Sequence, residues 1–186
     1  MKRLQYNSPV ILSFFFLSLL ALLLGHMTGG WTTAGLFSVY RSSLADPLTY
    51  IRFLGHVLGH ADLSHFLGNM LLLLVVGPPL EEKYGSRTLL IGMVLTALVS
   101  GVLQFICFPN SALLGASGIV FMLIMLASLA GMKDGRIPLT LILAAVLYLG
   151  QEVYAMVALR DNVANFMHLV GGVTGTVFGV VLAKRR

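Results

Sequence analysis

Six apolar segments, each about the length that crosses a membrane as one helix, constrain the fold of this chain more than any other feature. Each contains about 17–21 residues, and about 20 apolar residues span the hydrocarbon of a bilayer. A long connection, residues 27–63, separates the first two segments, and the other connections are short. The six predicted spans are residues 9–26, 64–80, 88–107, 114–131, 137–157 and 164–183.

The scarcity of charge supports this interpretation. Only 10% of the 186 residues are charged and 58% are hydrophobic, whereas soluble domains contain roughly 25% charged residues. A water-soluble domain is therefore excluded. We predict an all-α, polytopic membrane protein, a six-transmembrane-helix bundle that forms one domain over residues 1–186. The single cysteine, Cys107, excludes an internal disulfide.

The first apolar segment follows Lys2 and Arg3, so it also resembles a signal peptide. Its apolar run is longer than the roughly 7–15 residues typical of such peptides, and five further spans follow. We therefore predict that this segment is retained as a membrane span.

Lysine and arginine lie unequally on the two sides of the predicted spans, nine against three. Basic residues favour the cytoplasmic side, so both termini are expected in the cytoplasm, the long loop outside, and the protein in the plasma membrane. The net charge of +5 is thus a topology signal, and no nucleic-acid partner is expected. The nine are Lys2, Arg3, Lys83, Arg87, Lys133, Arg136, Lys184, Arg185 and Arg186; the three are Arg41, Arg52 and Arg160.

Four polar side chains share one predicted depth below the outer surface. Spans 2, 4 and 6 all begin at the outer face, and His65, Asn69, Ser117 and His168 lie near those helix starts. Polar groups within a membrane are costly, so they usually mark a cavity or a site.

Ser117 is a candidate nucleophile at a helix N-terminus. Gly115 and Gly118 would let a substrate backbone approach, and the free N–H groups of the first turn would face a developing oxyanion. The alternative is structural, since serine and glycine often serve close packing between membrane helices.

His168 is a candidate general base. Gly171, Gly175 and Gly179 follow on the same helix face. Such a stripe permits close helix packing, and span 4 is its simplest partner, which would bring His168 toward Ser117. A buried histidine bonded to a backbone carbonyl is the alternative.

His65 and Asn69 are four residues apart, so they share a face of span 2. Both side chains can donate hydrogen bonds to an oxyanion. The alternative is that they bind the backbone of the outer loop.

The remaining titratable residues do not complete a metal site or a triad. His56 and His60 have the spacing of a helical zinc pair, but only Asp62 lies nearby as a third ligand, so no metal is expected. Asp161 more plausibly caps span 6 together with Asn162. A Ser–His dyad is therefore the simplest hypothesis.

Taken together, these residues resemble the rhomboid family of intramembrane serine proteases. HADLSHFLGN is similar to the family's second-span signature, LLGASGIVFM to its GxSG element and HLVGGVTG to its sixth-span element. Further resemblance lies in Gly77, Glu81 and Gly85 at the end of span 2, and in Arg52 of the first loop. Two departures are Ile51, where the family has tryptophan, and Met167, where it usually has alanine.

The resemblance implies a serine endopeptidase that cleaves transmembrane or membrane-proximal segments of membrane proteins without a cofactor. Ser117 is then the nucleophile, His168 the base, and His65 and Asn69 the oxyanion donors, with His60, Gly115, Gly118, Gly171 and Gly175 in support. Implied partners are transmembrane substrates and the lipid bilayer, and the oligomeric state stays open. The resemblance implies that span 5, with Gln151, Glu152 and Tyr154 at its outer end, takes part in lateral substrate entry. The alternative for Gln151 and Glu152 is solvation at the membrane interface.

Two further classes of protein are alternatives to this interpretation. A catalytically weak relative would bind transmembrane clients, but both Ser117 and His168 are present. A small transporter is disfavoured because ionisable residues within the spans are few and no inverted repeat is visible.

Overall fold

The computed structural model describes residues 6–130, 139–144, 146 and 162–183. Within these residues the chain forms helices and no β-strand; Val39 and Leu113 make one isolated antiparallel bridge. The predicted all-α class is confirmed. The helices are α1 (Pro9–Met27), α2 (Trp31–Gly35), α3 (Pro47–Gly55), α4 (Leu63–Tyr84), α5 (Ser86–Cys107), α6 (Ser117–Ala130), α7 (Leu139–Ala144) and α8 (Asn162–Ala183).

Three of these helices, α1, α4 and α5, are long and apolar enough to cross a membrane. Ser117–Ala130 and His168–Leu182 are shorter apolar helices among the described residues. Of the predicted fifth span, only residues 139–144 and 146 are described, and its outer end with Gln151, Glu152 and Tyr154 lies outside the described residues. The single domain over residues 1–186 stays a prediction.

The buried carboxylate of Glu81 joins one end of three spanning helices. Its oxygens accept hydrogen bonds from the backbone N–H groups of Val10 (2.9 Å) and Ile11 (3.0 Å) and from the hydroxyl of Ser86 (2.7 Å). Helix N-terminal N–H groups lack intrahelical partners, so a carboxylate there satisfies them. The end of α4 and the starts of α1 and α5 therefore lie at one membrane face, called here the inner face.

The predicted outer loop contains ordered helices. Within it lie α2, α3 and a 3-10 turn at His56–Leu58. The side chain of Asp46 caps α3 by accepting from Leu48 N–H, and it pairs with Arg52 at 3.2 Å. Hydropathy did not anticipate these helices, because they are too short to register as apolar runs.

Helix α6 begins at Ser117, three residues later than the predicted span start at residue 114. Leu113 exchanges both backbone hydrogen bonds with Val39, each 2.9 Å long, so its backbone is extended. Gly115 then adopts φ +124°, which L-residues rarely tolerate. The apolar residues before Ser117 thus form a buried loop, which hydropathy alone cannot distinguish from helix.

Helix α6 lies at the centre of the described bundle, where Met122, Leu123 and Leu126 are fully buried. Its closest neighbour is α8. A Cβ on Gly171 would lie 2.8 Å from the carbonyl carbon of Gly118, and one on Gly175 the same distance from the Met122 Cα. The backbones therefore touch, and the predicted packing of the glycine stripe against span 4 is confirmed.

Candidate active site

The start of α4 fixes the position of His65. Asp62 is the N-cap of this helix, and its carboxylate accepts a hydrogen bond of 2.8 Å from the backbone N–H of His65. Such a cap satisfies one of the free N–H groups of the first turn. Asp62 thereby orients the first turn of α4, which carries the candidate oxyanion donor.

The loop before α6 brings His65 beside Ser117. A Cβ on Gly115 would lie 2.8 Å from His65 Nε2 and 4.0 Å from Ser117 Oγ. Gly115 is therefore required both by its positive φ and by the imidazole ring that packs on it. Ser117 is the first residue of α6 and is half-buried, so the hydroxyl lies beside free N–H groups of the helix start.

Phe121 holds the ring of His168 over the same face of α6. The two rings stack with centroids 4.6 Å apart and an interplanar angle of 8°. Phe121 is one helical turn after Ser117, so both residues lie on one face of α6. One turn further along α8, Gly171 contacts the Gly118 backbone. His168 is thus held next to the helix turn that begins with Ser117.

Asn69 lies one helical turn after His65 on α4. Its Nδ2 donates a hydrogen bond of 2.9 Å to the carbonyl of His65, and the residue is buried. One of its two N–H groups is therefore used within the helix, and the second makes no hydrogen bond within the described part of the chain. His65 and Asn69 belong to one turn, as their spacing predicts.

His60 packs behind His65. The two rings meet edge to face with centroids 5.1 Å apart, and His60 also contacts the ring of Phe66. Its Nδ1 lies 3.2 Å from the carbonyl of Leu58, which can only accept, so Nδ1 carries the proton. Burial and the nearby His65 lower the pKa of His60 to about 4. His60 is therefore a neutral ring supporting His65.

His56 links the outer loop to the loop before Ser117. Its carbonyl accepts the Gly115 N–H at 2.9 Å. Its ring lies 3.1 Å from the Arg52 carbonyl through Nδ1 and 3.2 Å from Ser100 Oγ through Nε2. Burial lowers the pKa of His56 to about 4, against the opposing effect of backbone hydrogen bonds, so the ring is neutral at neutral pH.

The alternative of a zinc pair finds no support in this geometry. Both ring nitrogens of His56 are engaged by protein atoms. Among the described residues no three His, Cys, Asp or Glu side chains gather as a metal would require. Asp62, the third ligand considered, instead caps α4.

Of the two departures from the family pattern, the structure describes the side chain of Ile51 and not that of Met167. Ile51 is half-exposed on α3, whereas its neighbour Arg52 is buried, donates to the Gly35 carbonyl at 2.7 Å and lies 4.7 Å from the ring of Tyr40. The exchange at residue 51 therefore affects a surface position. The side chain of Met167 and the whole of Asp161 lie outside the described residues.

Sequence reasoning missed Phe121 and the carbonyl of His56. Phe121 carried a usable signal, because a residue four positions after a helical serine shares its face. The His56 carbonyl carried none, because any residue has one.

These helices define an integral, multi-pass, all-α membrane protein, with His65, Asn69, Ser117 and His168 on three neighbouring helices. Residues 47–185 match the Rhomboid domain. The chain therefore belongs to the rhomboid family, which includes intramembrane serine proteases.

Known relatives agree with this membership. Rhomboid-related protein 1 of Caenorhabditis elegans is 36% identical over 143 residues, which cover 70% of this chain and 39% of the relative. Rhomboid-related protein 2 of Mus musculus is 38% identical over 90 residues, covering 43% and 29%. Rhomboid protease GlpG of Pectobacterium atrosepticum is 31% identical over 128 residues, covering 67% and 45%. The aligned part is thus less than half the length of each relative.

Proposed function

We propose that this chain is an intramembrane serine endopeptidase acting through a Ser117–His168 dyad. The observation that carries the proposal is the convergence of three helix starts. The His65 ring packs on Gly115 beside the Ser117 hydroxyl, and His168 stacks on the residue one turn below Ser117. Membership of a family that includes such proteases, and likeness to a relative named a rhomboid protease, support the same reaction.

The proposed reaction begins with proton transfer. Neutral His168 accepts the Ser117 hydroxyl proton while Oγ attacks the carbonyl carbon of a substrate peptide bond. The oxyanion receives hydrogen bonds from the Ser117 N–H and from the side chains of His65 and Asn69. As the C–N bond breaks, protonated His168 gives its proton to the leaving amine, and an acyl-enzyme remains.

A water molecule then completes the cycle. His168 removes a proton from the water, whose oxygen attacks the acyl carbonyl, and the Ser117–acyl bond breaks with return of the proton to Ser117 Oγ. Each oxyanion donor typically contributes about 10²–10³ in rate. The substrate bond must first leave its helical conformation, because intrahelical hydrogen bonds shield it. Transmembrane segments with weak helix formers are therefore the proposed substrates.

The proposed orientation places both termini in the cytoplasm and the site toward the outer face of the plasma membrane. It rests on the nine-to-three distribution of basic residues about the spans. In this orientation the inner face joined by Glu81 is the cytoplasmic one.

Labelling of the purified protein with a fluorophosphonate tests the nucleophile. We expect labelling of the wild type, none in Ser117→Ala, and unchanged labelling in Ser128→Ala, a serine of the same helix that bonds to the Ile124 carbonyl. Persistent labelling of Ser117→Ala contradicts the nucleophile, and full peptidase activity in His168→Ala contradicts the base. Client capture without any labelling would instead favour a non-catalytic relative.

A further inference from the structure

An apolar groove opens on the membrane-facing side of the bundle, and none of His65, Asn69, Ser117 and His168 lines it. It has a volume of about 380 Å³ and runs between α1 and α5 beneath α3 and the His56–Leu58 turn. Its rim is exposed apolar surface, namely Leu17, Leu54, Leu90 and Val94. Because Leu17, Leu90 and Val94 lie on the spanning helices α1 and α5, the groove opens toward hydrocarbon, and its occupant must be apolar and come from the bilayer.

The floor of the groove adjoins segments that hold the candidate site. Ile119 and Ala97 are almost fully buried and line it. Ile119 is two residues after Ser117, and Val57, also in the lining, follows His56, whose carbonyl binds the Gly115 N–H. An occupant of the groove therefore contacts the start of α6 and the His56–Leu58 turn. This turn holds the loop before α6 through the hydrogen bond between the His56 carbonyl and the Gly115 N–H.

A basic residue lies one helical turn beyond one end of the groove. Pro9 and Leu90 lie at this end, where Glu81 joins α1 and α5 at the inner face. Arg87 is exposed one turn before Leu90 and makes no ion pair with any residue in the described part of the chain. The carboxylate of Glu81 is buried and accepts three hydrogen bonds, so it is already satisfied. Arg87 is thus placed to bind a lipid phosphate at the interface.

We propose that this groove binds one acyl chain of an anionic phospholipid of the inner-face leaflet, with the headgroup at Arg87. The apolar lining accepts the chain, and the arginine supplies the charge complementarity. A bound chain fills space between α1, α5 and the His56–Leu58 turn that would otherwise leave buried apolar surface without contacts. The lipid chain would therefore pack against the part of the outer loop that lines the groove, namely Leu54, Val57 and Leu58.

Photocrosslinking in vesicles tests this site. The purified protein is reconstituted with phosphatidylglycerol or phosphatidylcholine that carries a diazirine in one acyl chain, and labelled peptides are mapped. We expect labelling within residues 13–17 of α1 and 93–97 of α5, with about a fivefold preference for phosphatidylglycerol, the effect of one interfacial basic residue. The preference should be lost in Arg87→Ala and retained in Arg87→Lys.

A matched pair of variants separates the groove from ordinary lipid contact. Val94 and Val99 are equally exposed on α5, but only Val94 lines the groove. Val94→Trp should reduce labelling of the α1 peptide severalfold, and Val99→Trp should leave it unchanged. Equal labelling in both variants would overturn the site. Equal labelling by the two lipids would overturn the assigned headgroup, and displacement by a transmembrane substrate peptide would assign the groove to a substrate helix.

Discussion

At the scale of single residues, the candidate site depends on aromatic and imidazole rings that hold one another. Phe121 stacks on His168, and His60 supports His65. A ring held by a neighbouring ring loses little conformational freedom when substrate arrives, so such contacts favour a preorganised site. This arrangement makes the supporting rings testable apart from the reacting ones.

Replacing Phe121 tests the stacking. Aromatic pairs contribute about 0.5–1.5 kcal/mol beyond their buried area, so Phe121→Leu should lower kcat roughly two- to tenfold. Phe121→Tyr keeps the ring and should retain most activity. Steady-state cleavage of a transmembrane substrate in detergent measures both variants. A higher KM with an unchanged kcat would show that Phe121 does not position His168.

The buried histidines make stability depend on pH. The pKa of His56 is about 4 in the folded protein and about 6.5 when unfolded, so the unfolded chain binds its proton first as pH falls. Stability is complete above about pH 6.5 and decreases toward pH 4, by on the order of 2 kcal/mol for this residue at pH 5. Unfolding free energies at pH 7 and pH 5 measure the difference. The difference in unfolding free energy between the two pH values should be smaller in His56→Gln. An unchanged difference would contradict the lowered pKa of His56.

At the scale of elements, the contact of α6 with α8 determines whether Ser117 and His168 can meet. The two helices touch through backbone atoms at Gly118 and Gly171. A shift of one helix along the other would therefore change the distance between the two candidate catalytic residues.

Gly171→Ala tests that contact. The added methyl would meet backbone atoms of Gly118, which cannot move aside as a flexible side chain can. Overpacking of this kind costs about 1–3 kcal/mol, so thermal stability in detergent and activity should both fall. Gly68→Ala on α4 is the matched control, because a Cβ there meets nothing within 4 Å. Equal effects of the two variants would show that the helices are not in close contact.

At the scale of the whole molecule, the orientation in the membrane can be tested with the native cysteine. Cys107 is exposed at the end of α5 opposite to Ser86, which lies at the inner face. A membrane-impermeant maleimide added outside intact cells should label it. Cys107→Ser should abolish labelling, and Arg87→Cys in that background should become reactive only after the cells are opened. The reverse pattern would invert the proposed orientation.

Hydropathy predicted the spanning helices well because a membrane imposes a long apolar run on each one. The predicted spans 64–80 and 88–107 correspond to α4 (Leu63–Tyr84) and α5 (Ser86–Cys107). The spacing of Gly171 and Gly175 also predicted the neighbouring helix, because small residues on one face let another helix backbone approach closely.

Local backbone geometry was harder to predict from the sequence. The loop before Ser117 is as apolar as a helix, yet its pairing with Val39 and the positive φ of Gly115 end the helical pattern. The outer loop also contains α3, in which Asp46 caps the helix by accepting from Leu48 N–H and pairs with Arg52. The pairing of Val39 with Leu113 joins segments far apart in the sequence, and the contacts of Asp46 lie within one short helix, so neither leaves a periodic signal.

A hydrogen bond between α4 and α6 gives the depth of Ser117 relative to the inner face. Lys83 Nζ donates to the carbonyl of Ala130, so residue 130 of α6 lies beside the inner-face end of α4. Ser117 is about 20 Å further along the axis of α6, within the roughly 30 Å of hydrocarbon that a bilayer contains. Under the proposed function, a substrate bond that reaches Ser117 therefore lies within the membrane segment and not in the soluble flank beyond the inner face.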